Sequence, residues 1–404
     1  MLKTYKYRLY PTKKQKENLG WTLDICHTLY NSCLVDRNRH YEETGKGVSY
    51  IDQAKILVQD KKRIECLTNI HSQVLQDVLM RVEKAYKAFF RRIKEKKGKA
   101  GYPRFKPQNR YDSITYTQSG FGIDDIGKLT LSKIGHIKIK QHRQINGIIK
   151  TCAIKKDIDK WYVCFSVEYT PVRKPIPNKK IGIDVGINPL IAFSDGKPPI
   201  DNPKYLIKSE KRLIKKQKRL SSKVKGSNNR KKAITVVATL HKKVSNQRRD
   251  FQHKISREIV DNYGIIGIED LRIRNMVKNH RFAKSISDAG WGQFFSFLTY
   301  KAEEAGCYVG RVNPRNTSKE CCVCHYIYYD MTLADRTWTC PVCHIEHDRN
   351  TCASKNIGNR LIRPEWPEYT LGETGSMDDP SYSNIAALKS IPSMNQEAPP
   401  EREG

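Results

Sequence analysis

The sequence predicts an α/β protein of several domains, and three observations carry that expectation. Residues 1–10 alternate, with Tyr5, Tyr7 and Leu9 set against Lys6, Arg8 and Tyr10, and short alternating or apolar runs return between 113 and 170. Two long stretches with helical spacing, 13–40 and 67–97, lie between those strand-like segments. In the C-terminal half, two apolar runs end in acids, at 181–187 and 265–270, and a four-cysteine cluster follows. A chain of 404 residues suggests two or three domains, and 38% hydrophobic content is enough to give each a core.

In chain order, the first alternation reads as a strand. In 67–97, Val74, Leu75, Val78, Leu79, Val82, Ala85, Tyr86 and Phe89 recur at three and four residues, so one face packs into a core. The other face carries Arg81, Lys84, Lys87 and Arg91 and is suited to meet a nucleic-acid duplex. Glycine and proline break both periodicities at 95–107, a loop. The runs Lys128-Leu129-Thr130-Leu131, Ile137-Lys138-Ile139-Lys140 and 161–168 then read as strands. With the first strand they predict a small β-barrel (1–12 and 108–172) carrying a helical insertion (13–107). Pro171, Pro175 and Pro177 mark a linker, and a second domain begins at Lys179.

Residues 204–259 hold nineteen Lys or Arg against three acids and read as two helices broken near Gly226-Ser227-Asn228-Asn229. Without acids to pair at i,i+4, such a hairpin points to phosphate contact, with Lys211, Arg212, Lys215 and Arg219 as the candidates. Across the chain, 74 basic residues face 42 acidic ones, a net charge of +32. Nucleic acid is the expected neutralising partner. A membrane is not expected as a partner, because no segment reads as a transmembrane helix. The first residues show no apolar core of signal-peptide length, which predicts a cytoplasmic, nucleoid-associated protein. After Arg360 the balance reverses, with eight acids, four bases and six prolines in 360–404, and a disordered tail is expected from 363.

Twelve cysteines in a reducing compartment favour metal over disulfides. The spacing Cys321-x2-Cys324-x15-Cys340-x2-Cys343 is that of a zinc ribbon, in which two tight turns each present two thiolates and close the tetrahedron. Four sulfur ligands leave no open position, so the zinc would be structural. Cys321 is the better ligand than Cys322, since only it keeps the two-residue gap to Cys324. His325 and His344 are weaker substitutes. Cys307 and Cys352 lie outside the spacing and read as packed residues.

The two apolar strands end in Asp184, flanked by Gly182 and Gly186, and in Glu269. Glycines at such an end would let backbone approach a phosphate or metal. If the strands are parallel neighbours, the two carboxylates stand side by side, and hard oxygen ligands of that kind hold Mg²⁺.

These blocks, with 285–292, 313–318 and His347-Asp348-Arg349-Asn350, resemble the TnpB family of transposon-encoded, RNA-guided DNA endonucleases, which is related to the type V CRISPR effectors. The resemblance runs from the first strand to about residue 362. It implies a wedge-type β-barrel with a helical recognition insertion and an RNase H-like (RuvC) nuclease domain at 179–314 and 345–362. It also implies an inserted zinc ribbon at 315–344, a guide RNA derived from the transposon end, and a double-stranded DNA target beside a short motif. Gln76 falls in the region that reads that motif. Tyr50 and Tyr102 are stacking candidates, although packing is the commoner role for tyrosine there. Asp184 and Glu269 match the first two catalytic acids. The third block of the family usually reads D-R-D-x-N-A-A; here Asn350 stands at the catalytic aspartate and Cys352 at the asparagine. Three readings follow: a guided DNA-binding protein or repressor whose cleavage is lost or weakened, an active Mg²⁺-dependent endonuclease that tolerates Asn350 or recruits Asp348, and a decayed transposon protein.

Overall fold

The computed structural model describes residues 1–361 apart from 97–99, 173–174 and 333; the tail expected from 363 lies outside the described residues. The chain opens with β1 (Leu2–Tyr10), whose alternation is realised: Tyr5, Tyr7 and Leu9 are buried. Four helices follow, α1 (Lys13–Thr44), α2 (Tyr50–Arg63), α3 (Glu65–Thr68) and α4 (Ser72–Lys94). Then come β2 (Ser113–Tyr116), β3 (Phe121–Ile123), β4 (Lys128–Leu131), β5 (Gly135–Lys140), β6 (Ile148–Asp157) and β7 (Lys160–Glu168). They form one antiparallel sheet in the order β2-β6-β7-β1-β5-β4-β3. This is the wedge-type β-barrel with its helical insertion. β1 joins its halves, pairing β7 along Leu2–Leu9 and β5 at Arg8–Tyr10.

Among the described residues, the insertion does not have a core of its own. Leu19, Leu23, Val74, Leu75 and Leu79 pack into the same cluster as Tyr7, Ile114 and Phe165 of the sheet. Capping boxes start α1 (Thr12 with Gln15) and α2 (Ser49 with Asp52). The apolar stripe of α4 is buried at Val74, Leu75, Val78, Leu79, Val82 and Tyr86. Arg81 departs from the expected basic face. Its guanidinium is held by Asp77, by the Ser113 carbonyl and by Thr115 Oγ1, so it ties α4 to β2. Lys84, Lys87 and Arg91 remain exposed.

The C-terminal half is built on β8 (Lys180–Val185), β9 (Ile191–Phe193), β10 (Ile265–Glu269) and β11 (Tyr308–Val312), ordered β11-β10-β8-β9. β10 runs parallel to β8 and β11, and β9 antiparallel to β8. Ile200 bridges Ile191 on the outer side of β9. This is the RNase H-like arrangement. Its helices are α5 (Tyr205–Ser221), α6 (Asn228–Asn262), α7 (Ile273–Met276), α8 (His280–Ala289), α9 (Trp291–Ala305) and α10 (Arg349–Arg360). Ile255, Ile259, Phe294 and Leu298 of α6 and α9 pack on Ile181, Ile183, Ile266 and Ile268. Between β11 and α10 lies the ribbon, with its hairpin β12 (Thr337–Thr339) and β13 (Glu346–Asp348). β13 runs into α10 without a break. Among the described residues no helix is long and apolar enough to cross a membrane.

α10 lies on the sheet over a row of glycines. Gly182, Gly267 and Gly310 are in register on β8, β10 and β11. A Cβ at Gly182 would collide with the Ser354 carbonyl and the Gly358 nitrogen, and one at Gly310 would collide with Leu361. This corrects the expected role of the glycine before Asp184: it makes room for a helix backbone, not for a phosphate. Gly186 is likewise committed, since a Cβ there would lie 2.6 Å from the Pro189 carbonyl.

Candidate metal centres at the sheet edge and in the ribbon

The register Ile183↔Ile268 places Asp184 and Glu269 next to each other at the ends of neighbouring parallel strands. Asp184 is half-buried and Glu269 buried. Burial pushes the Asp184 carboxyl up to about 7; the Glu269 charge adds to the rise and Arg349 opposes it. Burial also raises Glu269, against the hydroxyl of Thr317, which donates to Glu269 Oε1 at 2.5 Å. Burial and the neighbouring Glu269 destabilise the charge on Asp184, and a divalent cation held by the two carboxylates would remove that cost. The donor set therefore fits Mg²⁺. The indole of Trp291 donates to the Gly186 carbonyl at 3.1 Å and braces the strand end that carries Asp184.

Asn350 is the second residue of α10. It is half-buried, and its amide has no hydrogen-bond partner among the described residues. Asp348 is the N-cap of the same helix: its Oδ1 accepts the Thr351 N–H and hydroxyl, each at 2.8 Å. Its charge is still felt at Asp184, which it raises. Further along, the buried Asn356 donates to the carbonyls of Thr317 (2.9 Å) and Glu320 (2.6 Å). One network thus links α10 to the loop that holds Glu269. Sequence reasoning assigned no role to Thr317 or Asn356, although Thr317 lies inside the 313–318 block singled out above.

In the ribbon, the sulfurs of Cys321, Cys324, Cys340 and Cys343 all lie within 4.8 Å of one another. Cys321 and Cys343 are 3.6 Å apart and Cys324 and Cys340 3.5 Å. A zinc tetrathiolate with Zn–S near 2.3 Å has an edge of about 3.8 Å, so the cluster fits a structural zinc. The two turns match. The His325 N–H bonds the Cys321 carbonyl and the His344 N–H that of Cys340, and both histidines have positive φ. Their side chains are exposed and outside the cluster, and Cys322 is outside it too. Trp338 stacks on Tyr328, centroids 5.6 Å apart, beneath the cluster. Cys307 is packed as expected, its thiol 3.7 Å from the Val260 carbonyl. Cys352 is packed against the ribbon core and also has partners, Cys322 and His347, that its position in the sequence does not reveal.

The basic hairpin is α5 with α6, broken at Ser227, which caps α6. Lys211, Arg212, Lys215 and Arg219 are exposed on α5, and Leu213 is its buried residue. Asp288 of α8 anchors the base. It accepts the Leu206 N–H at the start of α5 and pairs with Arg248 of α6 at 2.7 Å. Gln76 is exposed on α4. Tyr102, 45% exposed, packs edge-on against Phe89 and Tyr86, at 5.0 and 5.7 Å, and Tyr50 rests half-buried on the N-terminal core.

Comparison with known proteins agrees along most of the chain. A family model described as "Probable transposase" matches residues 163–280, and one described as "Cas12f1-like, TNB domain" matches 291–357. A "Helix-turn-helix domain" model matches 1–46, where this chain forms a strand and one long helix. A protein of Streptomyces pristinaespiralis named "Putative RNA-guided DNA endonuclease" is 34% identical over 365 residues, 88% of each chain. Its counterpart in Escherichia coli K12, InsQ, is 30% identical over 378 residues, 88% of this chain and 91% of its own. Among solved structures, the mini-RNA-guided endonuclease CRISPR-Cas_phi3 aligns with 89% of this chain and 92% of its own, at 10% identity and a TM-score of 0.48.

Proposed function

Because this chain belongs to the TnpB family, we propose that it is an RNA-guided, double-stranded-DNA-binding protein whose cleavage is lost or strongly weakened at Asn350. The carrying observation is that the third block offers an amide at the second position of α10, while Asp184 and Glu269 keep their carboxylates. The exposed row on α5 neutralises backbone phosphates, and base pairing to a guide from the transposon end reads the target beside a short motif. Gln76 is assigned to motif contact. The place of action is the nucleoid.

Asp184 and Glu269 would hold Mg²⁺, which when bound supplies charge neutralisation at the phosphate and an activated water. The Thr317 hydroxyl keeps Glu269 oriented and acceptor-ready. Asn350 can lend one neutral oxygen but no charge. With tenfold in rate worth about 1.4 kcal/mol, a missing charged ligand is expected to cost on the order of 10²–10⁴ in cleavage.

An active endonuclease that recruits Asp348 is the second reading, favoured by the influence of Asp348 on Asp184. Against it, Asp348 Oδ1 is engaged at the helix N-terminus. The test is plasmid cleavage by the full chain loaded with its guide RNA, in Mg²⁺ or Mn²⁺. Tight guided binding with little cutting, and cutting restored by Asn350→Asp, is expected. Wild-type cleavage equal to that of Asn350→Asp would overturn the proposal, and loss in an Asp348→Asn variant would then support the second reading. Absence of guided binding would favour a decayed transposon protein.

A further inference from the structure

Beside the four-cysteine cluster lies a second group of soft ligands. Cys322 Sγ, a ring nitrogen of His347 and Cys352 Sγ all lie within 4.8 Å of one another. They come from three places: the first ribbon turn, strand β13 and the first turn of α10. Cys352 and His347 are buried and Cys322 is half-buried.

The two faces of His347 are differently engaged. Its Nε2 lies 3.1 Å from Cys321 Sγ, and its Nδ1 lies 3.9 Å from Cys322 Sγ. With zinc on Cys321, its thiolate could only accept, so Nε2 would carry the ring proton and donate it. That would leave the Nδ1 lone pair for a metal beside Cys322, while the Cys352 thiol, which donates to the Glu320 carbonyl at 3.2 Å, would give up its proton on binding the ion. In tetrahedral zinc with Zn–S near 2.3 Å and Zn–N near 2.05 Å, the S···N edge is about 3.6 Å, close to the separation seen.

We propose that Cys322, His347 and Cys352 form a second zinc site, sharing His347 as an outer partner of the ribbon zinc and leaving one coordination position open. The ligand chemistry selects the ion. Two thiolates and a neutral imidazole balance Zn²⁺ to zero net charge, which suits a largely buried place. Soft sulfur excludes Mg²⁺ as its occupant. Such an ion fastens the first turn of α10, two residues beyond Asn350, to the ribbon.

The test counts metal. Full-length protein is loaded with excess Zn²⁺, desalted and assayed for zinc per chain; Co²⁺ loading is followed by its thiolate charge-transfer and d–d bands. Wild type should hold about two ions, and Cys322→Ser about one, with the ribbon cobalt spectrum intact. Cys352→Ser should behave alike, and Cys322→Ser, at the half-buried position, carries the test should Cys352→Ser fail to fold. A single zinc in wild type would overturn the proposal. So would two ions retained in Cys322→Ser, or one zinc accompanied by a Cys322–Cys352 disulfide in the purified chain.

Discussion

Replacing Asp184 by asparagine should stabilise the metal-free protein, and only above mildly acidic pH. In the folded chain the Asp184 carboxyl titrates at about 7 against an ordinary value of 3.8, chiefly through burial and then through Glu269. A raised folded-state pKa means the folded chain holds more protons between pH 4 and 7 than the unfolded one, so stability falls as pH rises through that window. Three units at about 1.4 kcal/mol each set an upper limit of about 4 kcal/mol, fully expressed above pH 7. For the C-terminal half of the chain that corresponds to roughly 10 °C in melting temperature. Thermal unfolding of wild type and Asp184→Asn would be followed in chelator from pH 5 to 8.5. The curves should converge at the acid end and separate steadily toward pH 8, with the variant the more stable. Mg²⁺ should then raise the wild type and leave the variant nearly unmoved. Parallel profiles over the whole range would show that the carboxylate pair is not strained and would refute the reasoning.

Cys340→Ser should release the ribbon zinc and loosen the start of α10, read as loss of one zinc per chain and lowered helix protection in hydrogen exchange; unchanged zinc content would rule the four-cysteine assignment out. Gly182→Ala should cost about 3 kcal/mol in denaturant unfolding, because the atoms it meets are backbone and cannot turn aside. Gly20→Ala on α1, where a Cβ meets nothing within 4 Å, is the matched control and should instead gain about 1 kcal/mol.

What the sequence revealed followed from local geometry. Four sulfurs at fixed spacing can hardly avoid forming two matching turns, and two apolar runs ending in acids become parallel neighbours once both are buried. The stripe on α4 is legible for the same reason. α2 was not, because only Gln53 and Leu57 are buried along it and no apolar period results. Arg81 could not be told from the exposed bases around it, since its partners on β2 lie more than thirty residues away. The Thr317 bond to Glu269 spans 48 residues and the Asn356 bond to Thr317 spans 39. Glycine was the most misleading residue. Its missing side chain is visible in any sequence, but which neighbour needs the space is decided only by packing.

The glycine row beneath α10 bears on how the third position could change. With the helix backbone seated on Gly182 at one point and continuous with the four-cysteine hairpin at its start, residue 350 is located by its surroundings and not by its own side chain. Aspartate and asparagine have nearly the same shape. A change at this position can therefore remove or return a charge while the mould around it stays as it was.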